Sequence, residues 1–207
     1  QLIKDYVDAT GDTSIFDDSL HQMLISIVAI MQTEQHHDLQ SPFSFERLGD
    51  IPQSDTLPFA GKGTRTNYTG MVWSGFRPSD DACKFGYLVP ANMFAVVILQ
   101  WVAQFARDHY GDEELAQAAT KLRAEIQFGI DTYAIVNHPK YGNIYAYETD
   151  GYGNYNLMDD ANVPSLLSLP YLGYCTADDP LYRATRAFVL SDDNPYFFRG
   201  ALAEGVG

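Results

Sequence analysis

The sequence predicts an all-α fold of the α/α toroid type, in which a ring of inner helices is surrounded by outer helices. Several stretches carry apolar residues at helical spacing, amphipathic stretches alternate with stretches that are apolar on nearly every side, and long polar loops precede the apolar stretches. Loops in those positions gather at one end of a ring. At this spacing, we expect the chain to make up about half of a complete toroid, as part of a single domain that is truncated at both ends.

The first predicted helix is amphipathic and covers Ser19 to Gln35. Asp17 and Asp18 come just before it, where the helix dipole favours acidic side chains. Its apolar positions are Leu20, Met23, Leu24, Ile27, Val28 and Met31. Residues 36–90 are rich in Gly, Pro, Ser, Thr and Asn and show no period, which predicts a long loop with one short strand at Met71 to Trp73. Loops of that length are usually functional.

A buried helix and an outer helix follow. Ala91 to Ala106 is apolar on most sides, as an inner helix would be. Asp112 is a suitable N-cap for the next helix. Its apolar stripe consists of Leu115, Ala118, Leu122, Ile126, Ile130 and Tyr133.

The second half repeats this order. Residues 139–160 form a polar loop in which Asp150-Gly151 predicts a hairpin turn. The apolar segment 163–173 is predicted to be another buried helix, broken by Pro170 and ended by Gly173. Asp179-Pro180 then predicts the start of a last helix that continues to about Leu190.

Composition excludes several classes of protein. The net charge is −14, and 13 Lys and Arg among 27 Asp and Glu cannot form the basic surface that nucleic acid requires. We find no apolar run of membrane-spanning length and no signal peptide, so we expect no membrane partner, and the sequence favours a cytoplasmic location. Cys83 and Cys175 show no metal-binding spacing and are predicted to be buried thiols.

Each long loop contains a pair of adjacent carboxylates shortly before an apolar segment. Asp80-Asp81 follows Arg77-Pro78, and Asp159-Asp160 ends the second loop. The surrounding rings are Trp73, Phe76, Tyr145, Tyr147, Tyr152 and Tyr155, and the planar polar groups are Arg77, Asn154, Asn156 and Asn162. Flat rings beside planar hydrogen-bonding groups are what a hydroxyl-rich ligand such as a sugar requires.

The pattern leaves other chemistry open. An Asp-Asp pair before a helix can simply cap it, and Asp and Asn oxygens also suit calcium, although neither loop has the EF-hand order. The five histidines lack zinc spacing, and Ser74 lies in no nucleophile elbow. For a sugar, one carboxylic acid could protonate a glycosidic oxygen while a second carboxylate attacks or activates water.

Two stretches resemble glycoside hydrolase family 125. They are TGMVWSGFRPSDDACKFGYLVPANMFAVV (69–97) and YAYETDGYGNYNLMDDANVPSLLSLPYLG (145–173), followed by FVLSDDNPYFFRG (188–200). The resemblance implies an (α/α)6 barrel that removes a non-reducing terminal α-1,6-linked mannose with inversion and without a metal ion or other cofactor. It assigns the general acid to Asp80 and makes a mannose-containing glycan the partner.

The expected sugar contacts come from both loops. They are Asp81, Arg77, Trp73, Tyr147, Asn156, Asp159, Asp160 and Asn162. The family's general base is a Glu in a His-Glu motif near the end of the full-length enzyme, and Glu204 does not match it. The family's WLRDS-like N-terminal segment is not matched either. The resemblance therefore implies the middle of the enzyme, with little activity of its own.

Two other functions remain open. One is a carbohydrate-binding helical module without catalysis. The other is a lyase or epimerase on the same type of fold. A lyase would more naturally place Tyr, His or Arg beside an acidic sugar, and the acidic loops disfavour such an anionic ligand.

Overall fold

The computed structural model describes residues 1–207 apart from the side chain of Gln53, and its main elements are helices joined by long loops. The helices are α1 (Leu2–Thr10), α2 (Asp18–Glu34), α3 (His37–Gln40), α4 (Pro58–Gly61), α5 (Val89–Phe105), α6 (Glu113–Tyr133), α7 (Leu169–Leu172) and α8 (Pro180–Val189), with a 3-10 turn at Gln53–Asp55 and a π-helical turn at Ala106–Tyr110. The strands are β1 (Tyr87–Leu88), β2 (Ile135–His138), β3 (Gly142–Tyr145), β4 (Glu148–Thr149), β5 (Tyr155–Asn156), β6 (Phe197–Arg199) and β7 (Glu204–Val206). The prediction of a helical fold is confirmed.

The predicted helix starts are confirmed at three caps. Asp17, Asp112 and Asp179 accept the backbone N–H three residues ahead, at 2.8, 2.9 and 2.9 Å. Each carboxylate thereby pairs one of the N–H groups that the first turn of a helix leaves free. Helices α2, α6 and α8 therefore begin within a residue of their predicted starts.

The core is built on the pair α5 and α6. Helix α5 buries most of its circumference, as predicted, and α6 packs along it through one stripe that includes Leu122, Ile126 and Ile130. By length and composition alone, Val89–Tyr110 could span a membrane, since 18 consecutive residues within it have a mean hydropathy of 1.5. In this fold 61% of those 18 residues are buried inside the protein, as is usual for a core helix.

The structure also contains three small antiparallel sheets, which the all-α prediction did not include. One has the order β1-β4-β5, another pairs β2 with β3, and the third pairs β6 with β7. In the first, Tyr87 pairs with Thr149 and Leu88 with Glu148, which joins the two long loops. The predicted hairpin around Asp150-Gly151 is confirmed, since this turn connects β4 to β5.

The strand predicted at Met71–Trp73 was wrong. The segment is irregular because a side chain, rather than another strand, pairs its backbone. The Asn92 carboxamide accepts the N–H of Val72 at 2.7 Å and donates to the carbonyl of Val72 at 3.0 Å.

The buried helix predicted for 163–173 was also wrong in extent. Only the four residues of α7 are helical, and Gly173 ends them with a positive φ of 82°. The backbone N–H groups of Leu166 and Leu167 are instead taken by the Asp159 carboxylate, both at 2.9 Å. Helix α1 and the β6–β7 hairpin were not predicted, and β7 lies in the Gly-rich end of the sequence.

Candidate active site at the two Asp-Asp loops

The first loop presents Asp80 at the tip of a tight turn. The Arg77 carbonyl accepts the Asp80 N–H at 3.0 Å, the Arg77 N–H donates to the Asp81 carbonyl at 2.8 Å, and a bridge between Phe76 and Ala82 closes the hairpin. Asp80 has a φ of 67°, the left-handed conformation that such a turn requires at this position and that Asp tolerates better than most residues. Its side chain is exposed, so the turn directs this carboxylate outward.

A buried glutamate anchors that turn from beneath. Nε of Arg77 lies 2.5 Å from Oε1 of Glu148, and the two side chains are 9% and 0% exposed. Burial opposes the charge on Arg77, but the Glu148 carboxylate more than offsets this and raises the pKa of the guanidinium. Burial, together with Glu148, also raises the pKa of the neighbouring Cys83 thiol well above its ordinary value. Cys83 is therefore buried and protonated, as the sequence predicts.

The second loop places Asp160 against the first. Oδ2 of Asp160 accepts the Tyr147 hydroxyl at 2.9 Å, and Oδ1 accepts the backbone N–H of Asn162 at 2.9 Å. The Ser79 hydroxyl lies 3.2 Å from Oδ2 of Asp81 and 3.4 Å from Oδ2 of Asp160. Asp81 from the first pair and Asp160 from the second therefore both contact Ser79, and the two loops lie together at one candidate site.

Asp159 faces away from this meeting point. It is fully buried, and each of its oxygens accepts a backbone N–H of the segment that leads into α7. Burial raises its pKa to about 7. The residue supports the loop from inside the protein, and its oxygens are not free for a ligand.

Trp73 is likewise enclosed. Its ring stacks on His37 with centroids 3.5 Å apart, and a Cβ added at Gly63 or Gly86 would lie 2.4 Å from the ring. The Trp73 side chain is 7% exposed, and its indole N–H has no hydrogen-bond partner among the side chains and backbone that the structure describes. The ring therefore forms part of the floor beneath the loops.

The remaining predicted contacts lie at the joined loops. Asn156 is half-buried and donates to Oε2 of Glu148 at 3.1 Å, while the Asn162 side chain is exposed. Burial, reinforced by Asp160, raises the pKa of Tyr147, so this phenol keeps its proton and remains a donor. Sequence reasoning missed Glu148, and the available signal was its place in the strand that enters the predicted hairpin.

The predicted lack of metal ligands can be compared with the structure. Within residues 1–207, leaving aside the Gln53 side chain, no three His, Cys, Asp or Glu side chains are grouped to hold a metal ion. His21 contacts Asp112 at 2.9 Å, and His37 contacts Glu34 at 2.6 Å. Cys83 and Cys175 are free thiols, and Cys175 is only partly buried.

Known proteins resemble this chain over its whole length. Residues 1–207 match the family model described as metal-independent alpha-mannosidase (GH125). The meiotically up-regulated gene 157 protein of Schizosaccharomyces pombe (strain 972 / ATCC 24843) is 48% identical over 213 residues, which cover 96% of this chain and 40% of that protein.

A solved structure resembles the chain equally well. A metal-independent alpha mannosidase of Streptococcus pneumoniae, in a non-productive substrate complex with alpha-1,6-mannobiose, superposes with a TM-score of 0.94 at 45% identity, covering 97% of this chain and 47% of that one. The chain thus spans less than half the length of both relatives. The family model over the whole chain and the similarity in sequence and fold agree, and the chain belongs to the metal-independent alpha-mannosidase family GH125.

Proposed function

We propose that this chain is part of an inverting glycoside hydrolase that removes non-reducing terminal α-1,6-linked mannose, with Asp80 as the general acid. The observation that carries the proposal is the exposed carboxylate of Asp80, held in a left-handed turn above a buried ion pair. A general acid must reach the glycosidic oxygen of a bound sugar, and a fixed, outward-facing carboxylate is suited to that task.

The neighbouring residues support sugar binding. Asp81 presents an acceptor beside Ser79, and Asn162 adds an exposed amide. Asp160 is buried and engaged by Tyr147 and Asn162, so it supports the site by joining the two loops. Such a set of acceptors and donors can hold the hydroxyl groups of one mannose ring. The proposed partner is a mannose-containing glycan, in keeping with the mannobiose complex of the streptococcal relative.

We place the general base elsewhere in the full-length protein. An inverting site needs two carboxyl groups about 6.5 to 9.5 Å apart with a water between them. Within the joined loops, Glu148 is engaged by Arg77, and Asp160 is engaged by Tyr147 and Asn162. The proposed architecture is about half of an (α/α)6 barrel, with the other helices completing the ring and supplying the base.

Leaving-group dependence in the full-length protein tests the role of Asp80. In Asp80→Asn, hydrolysis of α-1,6-mannobiose should fall by about 10² to 10⁴-fold, because its sugar leaving group needs a proton. Hydrolysis of α-mannosyl fluoride should fall far less, since fluoride leaves with little protonation. Asp178→Asn is a matched control, because Asp178 is exposed and also belongs to an Asp-Asp pair.

Three outcomes would overturn the proposal. Equal losses on the two substrates in Asp80→Asn would remove Asp80 from the role of acid. Initial release of α-mannose rather than β-mannose, followed by NMR, would exclude inversion. Binding of mannobiose without release of mannose would favour the carbohydrate-binding module instead.

A further inference from the structure

We propose that Glu148 is a positioning residue for this site, which fixes the Asp80 turn and the Asn156 strand as one rigid unit; the proposal rests on the role proposed above for Asp80. Glu148 is fully buried, so its carboxylate presents no surface to a ligand. Its influence on the reaction would pass through the groups that it holds.

The side-chain hydrogen bonds of Glu148 join residues of the two site loops. Oε1 accepts Nε–H of Arg77 at 2.5 Å. Oε2 accepts the backbone N–H groups of Lys84 and Phe85 at 3.1 and 3.2 Å, and the Asn156 amide at 3.1 Å. Four donors from two loops therefore converge on one carboxylate, which is about the number of acceptor sites that a carboxylate offers.

These contacts hold both ends of the Asp80 loop. Arg77 is the residue whose carbonyl and N–H make the two hydrogen bonds that close the turn around Asp80. Lys84 and Phe85 lie where the same loop returns to β1. Because the beginning and the end of the segment 77–85 are bound to one buried group, the position of Asp80 relative to Asn156 is set by Glu148.

A neutral isostere cannot reproduce this arrangement. Glutamine has one acceptor oxygen and an NH₂ group that can only donate. If its oxygen receives Arg77, the NH₂ group faces the N–H groups of Lys84 and Phe85, and the reverse placement sets it against Arg77. The Arg77 guanidinium, whose side chain is 9% exposed, would also lose its counter-ion. Relief of this conflict requires the turn to move.

The experiment compares Glu148→Gln with Asp80→Asn in the full-length protein, using α-1,6-mannobiose and α-mannosyl fluoride. We expect Glu148→Gln to lower kcat/KM on mannobiose by about 100-fold, since a displacement of about 1 Å in a catalytic group costs that much. The loss on the fluoride should be only a few-fold. The double variant should show no greater difference between substrates than Asp80→Asn alone, because both changes act on one proton transfer.

A matched control separates positioning from simple loss of stability. Glu34 is a half-buried glutamate outside the two carboxylate loops that accepts His37 Nδ1 at 2.6 Å and the Ser41 hydroxyl at 2.5 Å. Glu34→Gln should reduce stability and lower both activities by the same factor. If Glu148→Gln does not fold, Arg77→Lys takes its place, since it keeps the charge and removes the Nε–H that Glu148 accepts.

The outcomes distinguish the two proposals. An unchanged substrate ratio in Glu148→Gln, or in Arg77→Lys where that variant is needed, would overturn the positioning role if Asp80→Asn does change the ratio. An unchanged ratio in Asp80→Asn, or no hydrolysis of the fluoride by the unaltered protein, would count against the proposed function itself.

Discussion

The Tyr147 hydroxyl donates to the Asp160 carboxylate at 2.9 Å, and both side chains are almost completely buried. Tyr147 directly precedes Glu148 in the chain, so adjacent residues contact the second and the first loop in turn. We therefore expect the joined loops to be stabilised by this hydroxyl as well as by the Arg77–Glu148 pair.

Tyr147→Phe should destabilise the protein by about 1 to 3 kcal/mol, because it removes a donor from a buried carboxylate. The measurement is the free energy of unfolding in a chemical denaturant. Tyr152→Phe is the control, since Tyr152 is 65% exposed, and it should change stability by less than about 0.5 kcal/mol. Equal effects of the two substitutions would show that the Tyr147–Asp160 bond contributes nothing.

The effect of Asp159→Asn on the free energy of unfolding should become more favourable as pH rises. Burial raises the folded pKa of Asp159 to about 7, against an ordinary value of 3.8, so between these values the folded protein holds a proton that the unfolded chain has released. The stabilisation from that proton is complete below the unfolded pKa and is lost as pH rises through about 7. Asparagine carries no such proton. The stability of the variant minus that of the unaltered protein should therefore increase from pH 4 to pH 7, by at most about 1.4 kcal/mol per unit, and a flat difference would contradict this.

Gly86→Ala should destabilise the floor of the site. An added Cβ would lie 2.4 Å from Nε1 of Trp73 and 2.7 Å from Cγ2 of Thr66, and the ring is also stacked against His37. Overpacking of this kind costs about 1 to 3 kcal/mol. Gly205→Ala, where an added Cβ meets nothing within 4 Å, serves as the control in thermal unfolding. A similar melting temperature for both variants would mean that Trp73 moves freely.

Because Asp80 lies in a left-handed turn, we expect its glycine and alanine variants to differ in stability although both lose activity. Asp80→Gly should be more stable than Asp80→Ala by about 1 kcal/mol, because alanine at a φ of 67° carries the left-handed penalty. Neither variant should hydrolyse mannobiose efficiently. At Asp178, where the backbone is not left-handed, the order of glycine and alanine should reverse. If alanine were more stable than glycine at Asp80 as well as at Asp178, the turn at Asp80 would be unstrained.

Residues 1–207 alone should show little or no mannosidase activity. The proposed base belongs to another part of the protein, and an acid without its partner cannot complete an inverting reaction. The assay is release of mannose from α-1,6-mannobiose by the isolated segment. Measurable turnover that Asp80→Asn abolishes would contradict the expectation.

The helices were predictable because their signals are local. The caps at Asp17, Asp112 and Asp179 act within three residues, and the buried residues of α6 recur about once per helical turn. The pairing of the two carboxylate loops was also predictable, since both loops carry the same order of aromatic residues followed by Asp-Asp.

The features that were not predicted depend on contacts between residues that lie far apart in the sequence. Glu148 receives its donors from Arg77 and Lys84, more than sixty residues earlier, and its place in the strand before the predicted hairpin does not identify such distant partners. Trp73 was interpreted as a sugar-stacking ring, yet glycines far apart in the sequence let it pack inside the protein. The strand at Met71–Trp73 was wrong because Asn92, twenty residues later, takes the backbone of Val72.

The sheet that joins β1 to β4 also fixes the two ends of the segment that lies between these strands. Leu88 pairs with Glu148, and the N–H of Val89 donates to the carbonyl of Tyr147 at 2.9 Å, so residues 89–147 leave and return at the same point. The far end of that excursion is the turn at Gly111, where an added Cβ would meet nothing within 4 Å. Because lengthening a surface loop costs little entropy, a chain lengthened at this turn should keep the same distance between the two carboxylate loops.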